Sequence, residues 1–211
     1  MSQFALPFEW PADETDSDFI LSPANMLAVR HLEHWSLWPV PATILTGPRK
    51  SGRSLLGRLF VNKTGGRLID DADRASEEEI FHAWNHAQAS RRPLLLIADA
   101  RPPAWQVRLP DLASRIAATS GVAIADPDDA LIAALVEKGL GARGIALSPD
   151  LARWLLPRIE RSYVAVTRFV DAMDQAMLAG RRRPSLSLAR EVLAAMGRDV
   201  GEEGACDSRL R

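Results

Sequence analysis

The chain has 211 residues and a formal net charge of −1, with 26 Lys or Arg against 27 Asp or Glu. This balance argues against a protein that coats nucleic acid through a basic surface, and the single cysteine excludes a disulfide framework and a cysteine-based zinc site. A content of 47% hydrophobic and 25% charged residues is typical of a folded soluble protein. No apolar run reaches the roughly 20 residues that span a bilayer, and the N-terminus lacks the order of a secretion signal, so we expect a cytoplasmic protein with no membrane partner.

The first part of the chain predicts a tail followed by alternating helices and strands. Residues 1–18 join an apolar, Pro-broken segment to the acidic spacer ADETDSD, which favours a flexible tail. A helix is predicted from about Pro23 to Trp38, with Ser22 as its N-cap. The elements that follow are, in order, the strand ATILTG, a helix from near Arg53, the strand RLIDDAD, a helix over SEEEIFHAWNHAQAS, the strand PLLLIADA, a short helix over LPDLASRIAA and the strand GVAIADP.

The pattern changes after Asp126. No further strand is predicted, and four helices are expected near residues 127–139, 149–160, 162–179 and 187–196. Continuous apolar strands between helices are typical of a parallel sheet that is covered on both faces. We therefore predict an α/β base with about four parallel strands over residues 19–126, an all-helical lid over 127–196 and a loose C-terminal tail over 197–211.

The segment ILTGPRKSGRSLL lies where a strand turns into a helix, which is the setting of a phosphate-binding loop. In such a loop the backbone N–H groups face the phosphates, a lysine neutralises them and a hydroxyl holds magnesium. The lysine position here holds Arg53, whose planar fork differs from a compact ammonium. The sequence therefore leaves binding of ADP or ATP open and disfavours hydrolysis. The candidate nucleotide-binding residues are Gly47, Pro48, Arg49, Lys50, Ser51, Gly52, Arg53 and Ser54.

The strand RLIDDAD supplies Asp70 and Asp71, which are candidate magnesium ligands beside the phosphate loop. An ordinary acidic turn between a strand and a helix also explains both residues. Arg53 and Asp70 are only 17 positions apart, which leaves room for one helix and no additional strand. An alternative alignment makes RLID the second strand of a truncated site, so the two magnesium assignments stay open.

Taken together, these segments resemble the DnaA-type AAA+ ATPases and, within them, the Hda family of DnaA regulators, over roughly residues 3–196. The resemblance implies an AAA+ base with a helical lid. Within it, GPRKSGRS takes the place of Walker A, DDADR that of Walker B and PLLLIADARPP that of sensor 1. LPDLASR resembles the segment that carries the arginine finger, which gives the catalytic role, acting in trans, to Arg115. Val164 stands where the family has its sensor 2 arginine.

The N-terminal peptide QFALPF resembles the Q-x-x-L-P-[LF] motif by which the Hda family and DNA polymerases dock on the sliding clamp. In that mode apolar side chains fill a pocket while a glutamine amide is hydrogen-bonded at the rim. An arm that packs on its own domain is the alternative. The implied clamp-binding residues are Gln3, Phe4, Leu6, Pro7 and Phe8.

The resemblance implies a negative regulator of replication initiation at the replisome and nucleoid. Such a protein docks on the DNA-loaded sliding clamp and promotes hydrolysis of DnaA-bound ATP through Arg115. Its partners would be the clamp and DnaA, with DNA reached only indirectly, and a homodimer is left open. Two alternatives are a stand-alone P-loop ATPase that uses Arg53 and a catalytically inactive AAA+ adaptor that recruits partners to the clamp.

Overall fold

The base is built on one four-stranded parallel sheet. A computed structural model describes residues 19–180 and 183–207, with side chains described up to residue 197. The strands are β1 (Ala42–Thr46), β2 (Arg67–Ile69), β3 (Leu94–Ile97) and β4 (Ser120–Ala123). Their order across the sheet is β2-β3-β1-β4, and all three pairs are parallel. The prediction of a short parallel sheet of about four strands is confirmed.

Eight α-helices are seen in the described part of the chain. They are α1 (Pro23–Glu33), α2 (Arg53–Thr64), α3 (Glu77–Ser90), α4 (Pro110–Ala118), α5 (Asp129–Gly141), α6 (Pro149–Leu155), α7 (Tyr163–Gly180) and α8 (Leu186–Asp207). The first four alternate with the strands and the last four follow one another without a strand. None of the helices in the described ranges is both long enough and apolar enough to cross a membrane.

The two faces of the sheet are covered by different helices because successive strand residues point to opposite sides. Ile44 of β1 packs into a buried cluster with residues of α3 and α4, whereas its neighbour Leu45 packs with residues of α1 and α2. Every residue of β3 is buried. Burial on both faces explains why the central strands are continuous apolar runs.

The lid has a core of its own. Phe169 and Met173 of α7 are fully buried among residues of α5, α6 and α8. A Cβ atom at Gly139 of α5 would lie 3.0 Å from the Cγ1 atom of Val170, so this glycine permits the close packing of α5 on α7. The lid helices therefore pack around this core as one unit.

Three element boundaries differ from the sequence-based prediction. The first helix ends at Glu33 and gives way to a 3₁₀ turn over Trp35–Leu37, rather than running to Trp38. The second lid helix ends at Leu155 rather than near residue 160, and the chain then turns before α7 begins at Tyr163. The last helix runs to Asp207, so residues 197–207 are helical where a loose tail is predicted.

Candidate functional site

The candidate site lies where the carboxyl ends of the parallel strands meet, which is where ligands bind in sheets of this kind. The loop that follows β1 connects to the N-terminus of α2 through two glycines with positive φ. A Cβ atom at Gly47 (φ +150°) would lie 2.9 Å from the carbonyl oxygen of Ile124. At Gly52 (φ +87°), the N-cap of α2, it would lie 3.1 Å from the Phe19 ring. At these two positions the loop backbone is therefore held in a conformation that favours glycine, and Lys50 between them also has a positive φ of +65°.

This loop offers several features that fit a phosphate group. The first N–H groups of α2 have no acceptor within the helix, and the helix dipole favours an anion there. Ser51 is 6% exposed, and its hydroxyl has no hydrogen-bond partner among the described residues. The side chain of Arg49 is 68% exposed, so its cation faces solvent beside the loop. An orphan hydroxyl, free helical amides and a neighbouring cation form the donor set that a phosphate needs.

Arg53, in the position of the missing lysine, points to the end of β3. Its guanidinium donates one hydrogen bond to the carbonyl oxygen of Ala98 at 2.6 Å and another to Oδ1 of Asp99 at 2.9 Å. Its side chain is only 10% exposed. A phosphate-binding role for Arg53 stays a prediction, and it requires a phosphate to share or replace these two contacts.

Asp99 is a site residue that the sequence reasoning missed. Its Oδ2 accepts a hydrogen bond from Arg74 at 2.7 Å and lies 3.7 Å from a guanidinium nitrogen of Arg49. The hydrogen bond from Arg53 is the main reason why the pKa of Asp99 is lowered, with Arg74 adding to it. The available signal was its position two residues beyond the end of β3, at the same edge as the phosphate loop.

The candidate magnesium ligands, Asp70 and Asp71, follow β2 at this edge and are both exposed. Oδ1 of Asp70 accepts the backbone N–H of Asp71 at 3.1 Å, and Asp71 lies 3.8 Å from Arg74. Nowhere in the described ranges do three His, Cys, Asp or Glu side chains come close enough to hold a metal ion. As the short spacing predicts, α2 alone connects the loop to β2. The magnesium role stays a prediction.

Arg115 lies in the last turn of α4, where α3 holds its guanidinium. Nη1 donates a hydrogen bond to Oδ1 of Asn85, and the guanidinium carbon lies 4.4 Å from the centroid of Phe81 and 4.8 Å from that of Trp84. The indole N–H of Trp84 donates to the hydroxyl of Thr119 at 3.2 Å. Arg115 is half-buried, so a partly exposed cation is held in one orientation on the α3–α4 surface.

The lid touches the base close to the phosphate loop. The hydroxyl of Tyr163 donates to the carbonyl oxygen of Ala125 at 3.0 Å, and burial raises the pKa of Tyr163 to about 12. Lys50 of the loop lines a cavity of about 140 Å³ together with residues of α5 and α7. Val164, which the resemblance places where the family has its sensor 2 arginine, is 39% exposed. Its neighbour Arg161 pairs with Asp129 at 3.1 Å.

The candidate clamp-binding residues, Gln3, Phe4, Leu6, Pro7 and Phe8, lie outside the described residues, so their role stays a prediction.

Comparisons with known proteins bear on the lid and on the fold. Residues 128–193 match the family model of the Hda lid domain. A protein of Haemophilus influenzae, described as an uncharacterized protein, is 30% identical over 118 residues, which is 56% of this chain and 51% of that protein. The chain therefore spans about half the length of this relative.

Several solved structures share the fold. Domain III of the replication initiation protein DnaA of Thermotoga maritima has a TM-score of 0.70 at 13% identity, covering 85% of this chain and 95% of that one. AMPPCP-bound DnaA of Aquifex aeolicus has a TM-score of 0.55 at 20% identity, covering 71% and 61%. The AAA domain of FIGL-1 has a TM-score of 0.61 at 12% identity, covering 92% and 89%. At these identities the likeness establishes the fold alone, and it confirms the predicted fold of a short parallel α/β base with a helical lid.

Proposed function

We propose that this DnaA-related protein, which carries an Hda-type lid on an AAA+ fold, down-regulates replication initiation by promoting hydrolysis of the ATP bound to DnaA. In this proposal the N-terminal peptide docks the chain on the DNA-loaded sliding clamp. Its AAA+ body then packs against DnaA and presents Arg115 to the nucleotide of that partner. The chemistry takes place in the site of the partner, so the chain needs no turnover of its own.

The observation that carries this proposal is the way in which α3 holds Arg115. Among the described residues its guanidinium donates a single hydrogen bond, from Nη1 to Asn85, whereas a guanidinium has five N–H donors in a fixed fork. The remaining donors can contact a phosphate while the rings of Phe81 and Trp84 hold the group in place. A cation positioned in advance stabilises the charge that develops on a transferring phosphoryl group.

The energies involved favour this role. Each cation–π contact of Arg115 is worth about 0.5–1 kcal/mol at a partly exposed site and the hydrogen bond to Asn85 about 1.5–3 kcal/mol, so leaving all three partners would cost about 2.5–5 kcal/mol. An arginine finger accelerates hydrolysis by about 10³–10⁵, which corresponds to about 4–7 kcal/mol. The contacts on α3 therefore orient Arg115, and their sum overlaps only the lower end of that gain, so they do not withhold the guanidinium from a bound phosphate.

The clamp peptide raises the local concentration of the chain near DnaA and takes no part in the hydrolysis itself. Leu6 and Phe8 are the apolar anchors and Gln3 the polar one in the proposed contact with the clamp. A tether of this kind raises the effective concentration of the AAA+ body near DnaA on the same DNA. A weak contact between the two AAA+ bodies is then sufficient, and DNA is contacted through the clamp.

We further propose that the phosphate loop of this chain holds ADP or ATP without hydrolysing it. The amides at the N-terminus of α2, the hydroxyl of Ser51 and the cations of Arg49 and Lys50 would bind the phosphates, with Asp70 and Asp71 facing any magnesium ion. Arg53 is engaged by Ala98 and Asp99, which disfavours the stand-alone ATPase.

The proposal is tested by measuring hydrolysis of DnaA-bound ATP with clamp-loaded DNA, with and without this protein. We expect a large stimulation that needs both the clamp and the chain. The double variant Gln3→Ala/Phe8→Ala should lose it, and the surface variant Arg153→Ala, on α6 of the lid, should keep it. Clamp binding without any stimulation would instead establish an adaptor, and ATP turnover by the chain alone would establish an independent ATPase.

A further inference from the structure

One carboxylate at the edge of the sheet is surrounded by three arginines from three different segments. Asp99 follows β3, Arg49 belongs to the loop after β1, Arg53 opens α2 and Arg74 lies in the turn after β2. The guanidinium nitrogens lie 2.9 Å (Arg53), 2.7 Å (Arg74) and 3.7 Å (Arg49) from its oxygens. Asp99 thus ties the phosphate loop, α2 and the β2 turn to the end of β3.

The charges of this cluster do not balance. Three guanidinium groups face Asp99, and Asp71 lies 3.8 Å from Arg74, so three positive charges meet two negative ones. Arg49 is 68% exposed and the Asp99 side chain 31% exposed, which leaves the cluster open to solvent on one side. An excess of positive charge at an open helix N-terminus attracts an anion.

The carboxylate of Asp99 and a phosphate group make the same kind of contact with arginine. A guanidinium fork binds either group through charge-assisted hydrogen bonds. Because Asp99 is part of the chain, it competes at the high effective concentration of an intramolecular partner. A phosphate that enters the loop gains Arg53 and Arg74 only by displacing Asp99 from them.

We propose that Asp99 is an internal anion that competes with nucleotide phosphates for Arg53, Arg74 and Arg49, and so holds the loop in a low-affinity state. The inference rests on the phosphate-loop part of the proposed function and is independent of the clamp peptide and of Arg115. It deepens that part by naming the group that a phosphate must displace. A failure of Arg115 to stimulate DnaA leaves it untouched.

The test is binding of ADP in magnesium-free buffer by isothermal titration calorimetry. Asp99→Asn keeps the shape of the side chain and removes its charge. We expect this variant to bind ADP at least about tenfold more tightly than the wild type, because the charge-assisted contacts of the arginines become available to phosphate. Asp150→Asn makes the same change on α6, at an ion pair with Arg153, and should match the wild type. Equal or weaker binding by Asp99→Asn overturns the proposal, as does equal tightening by Asp150→Asn.

A second measurement on the wild type avoids any folding defect of the variant. Inorganic pyrophosphate is titrated while the side-chain Nε resonances of the arginines are followed by NMR. Displacement of Asp99 predicts that the signals of Arg53 and Arg74 shift together, whereas that of Arg153 stays constant. Unchanged signals of Arg53 and Arg74 at saturating pyrophosphate overturn the proposal.

Discussion

Replacing Arg53 by methionine tests whether this arginine is a structural link between α2 and β3. Methionine keeps an apolar stem of similar reach and removes both hydrogen bonds, to the Ala98 carbonyl at 2.6 Å and to Asp99 at 2.9 Å. Ala98 is buried, so its carbonyl oxygen loses a partner away from water, whereas Asp99 keeps Arg74. We therefore expect a loss of stability and not a neutral change.

The size of this loss follows from the contacts. Each hydrogen bond of a charged donor contributes about 1.5–3 kcal/mol, and the partial exposure of Asp99 places its share at the low end. A cation in the first turn of a helix destabilises the folded state by about 0.5 kcal/mol, and the substitution removes this cost. The net expectation for Arg53→Met is a loss of about 2–3 kcal/mol in the free energy of unfolding. For a chain of this size it corresponds to a fall of about 5–10 °C in Tm.

Urea unfolding and thermal unfolding measure this change directly. Arg49→Met is the matched control, because Arg49 is 68% exposed and lies 3.7 Å from the same carboxylate, so we expect a change within about 0.5 kcal/mol. If Arg53→Met is as stable as the wild type, or no less stable than Arg49→Met, Arg53 does not link α2 to β3.

Two further variants probe the loop and the lid contact. Gly47→Ala should lower the free energy of unfolding by about 1–3 kcal/mol, because its Cβ would lie 2.9 Å from the Ile124 carbonyl oxygen and its φ is +150°. A variant with unchanged stability and unchanged ADP affinity would contradict the need for glycine there. Tyr163→Phe should cost about 0.5–1.5 kcal/mol by losing the hydrogen bond to Ala125. The pKa of Tyr163 is raised from 10.0 to about 12 in the folded state. The unfolded chain therefore releases this proton first, and the wild type loses stability as pH rises through 10–12. Tyr163→Phe should lose less over that interval, and identical alkaline unfolding profiles would exclude this contribution.

The sheet could be predicted from the sequence because its strands are buried on both faces. A run such as LLLI has no polar alternation, and together with the helices predicted on either side of it in the sequence it is typical of a parallel sheet covered on both faces. The short spacing between Arg53 and Asp70 likewise left room for α2 and no additional strand. These features are local in the sequence, so residue type and spacing were sufficient.

The contacts of the two key arginines could not be predicted, because they depend on distant parts of the chain. Arg53 meets Asp99, which lies 46 residues away, and Arg115 meets Asn85, which lies 30 residues away. The sequence identifies Arg53 as a departure from the phosphate-loop motif, and the resemblance identifies Arg115 as a candidate catalytic residue. It contains no signal for the partners of either arginine. The C-terminal boundary was missed for another reason: Gly197 disfavours a helix by about 1 kcal/mol relative to alanine, yet α8 continues to Asp207.

The role of Arg115 is the central claim, and single-turnover hydrolysis of ATP bound to DnaA tests it most directly. The wild type and Arg115→Ala are compared at saturating concentration on clamp-loaded DNA, with clamp binding measured in parallel. We predict that Arg115→Ala binds the clamp normally and loses the stimulation by a factor of about 10³ or more. A stimulated rate that equals the wild-type rate would show that another group, and not Arg115, acts on the nucleotide of DnaA.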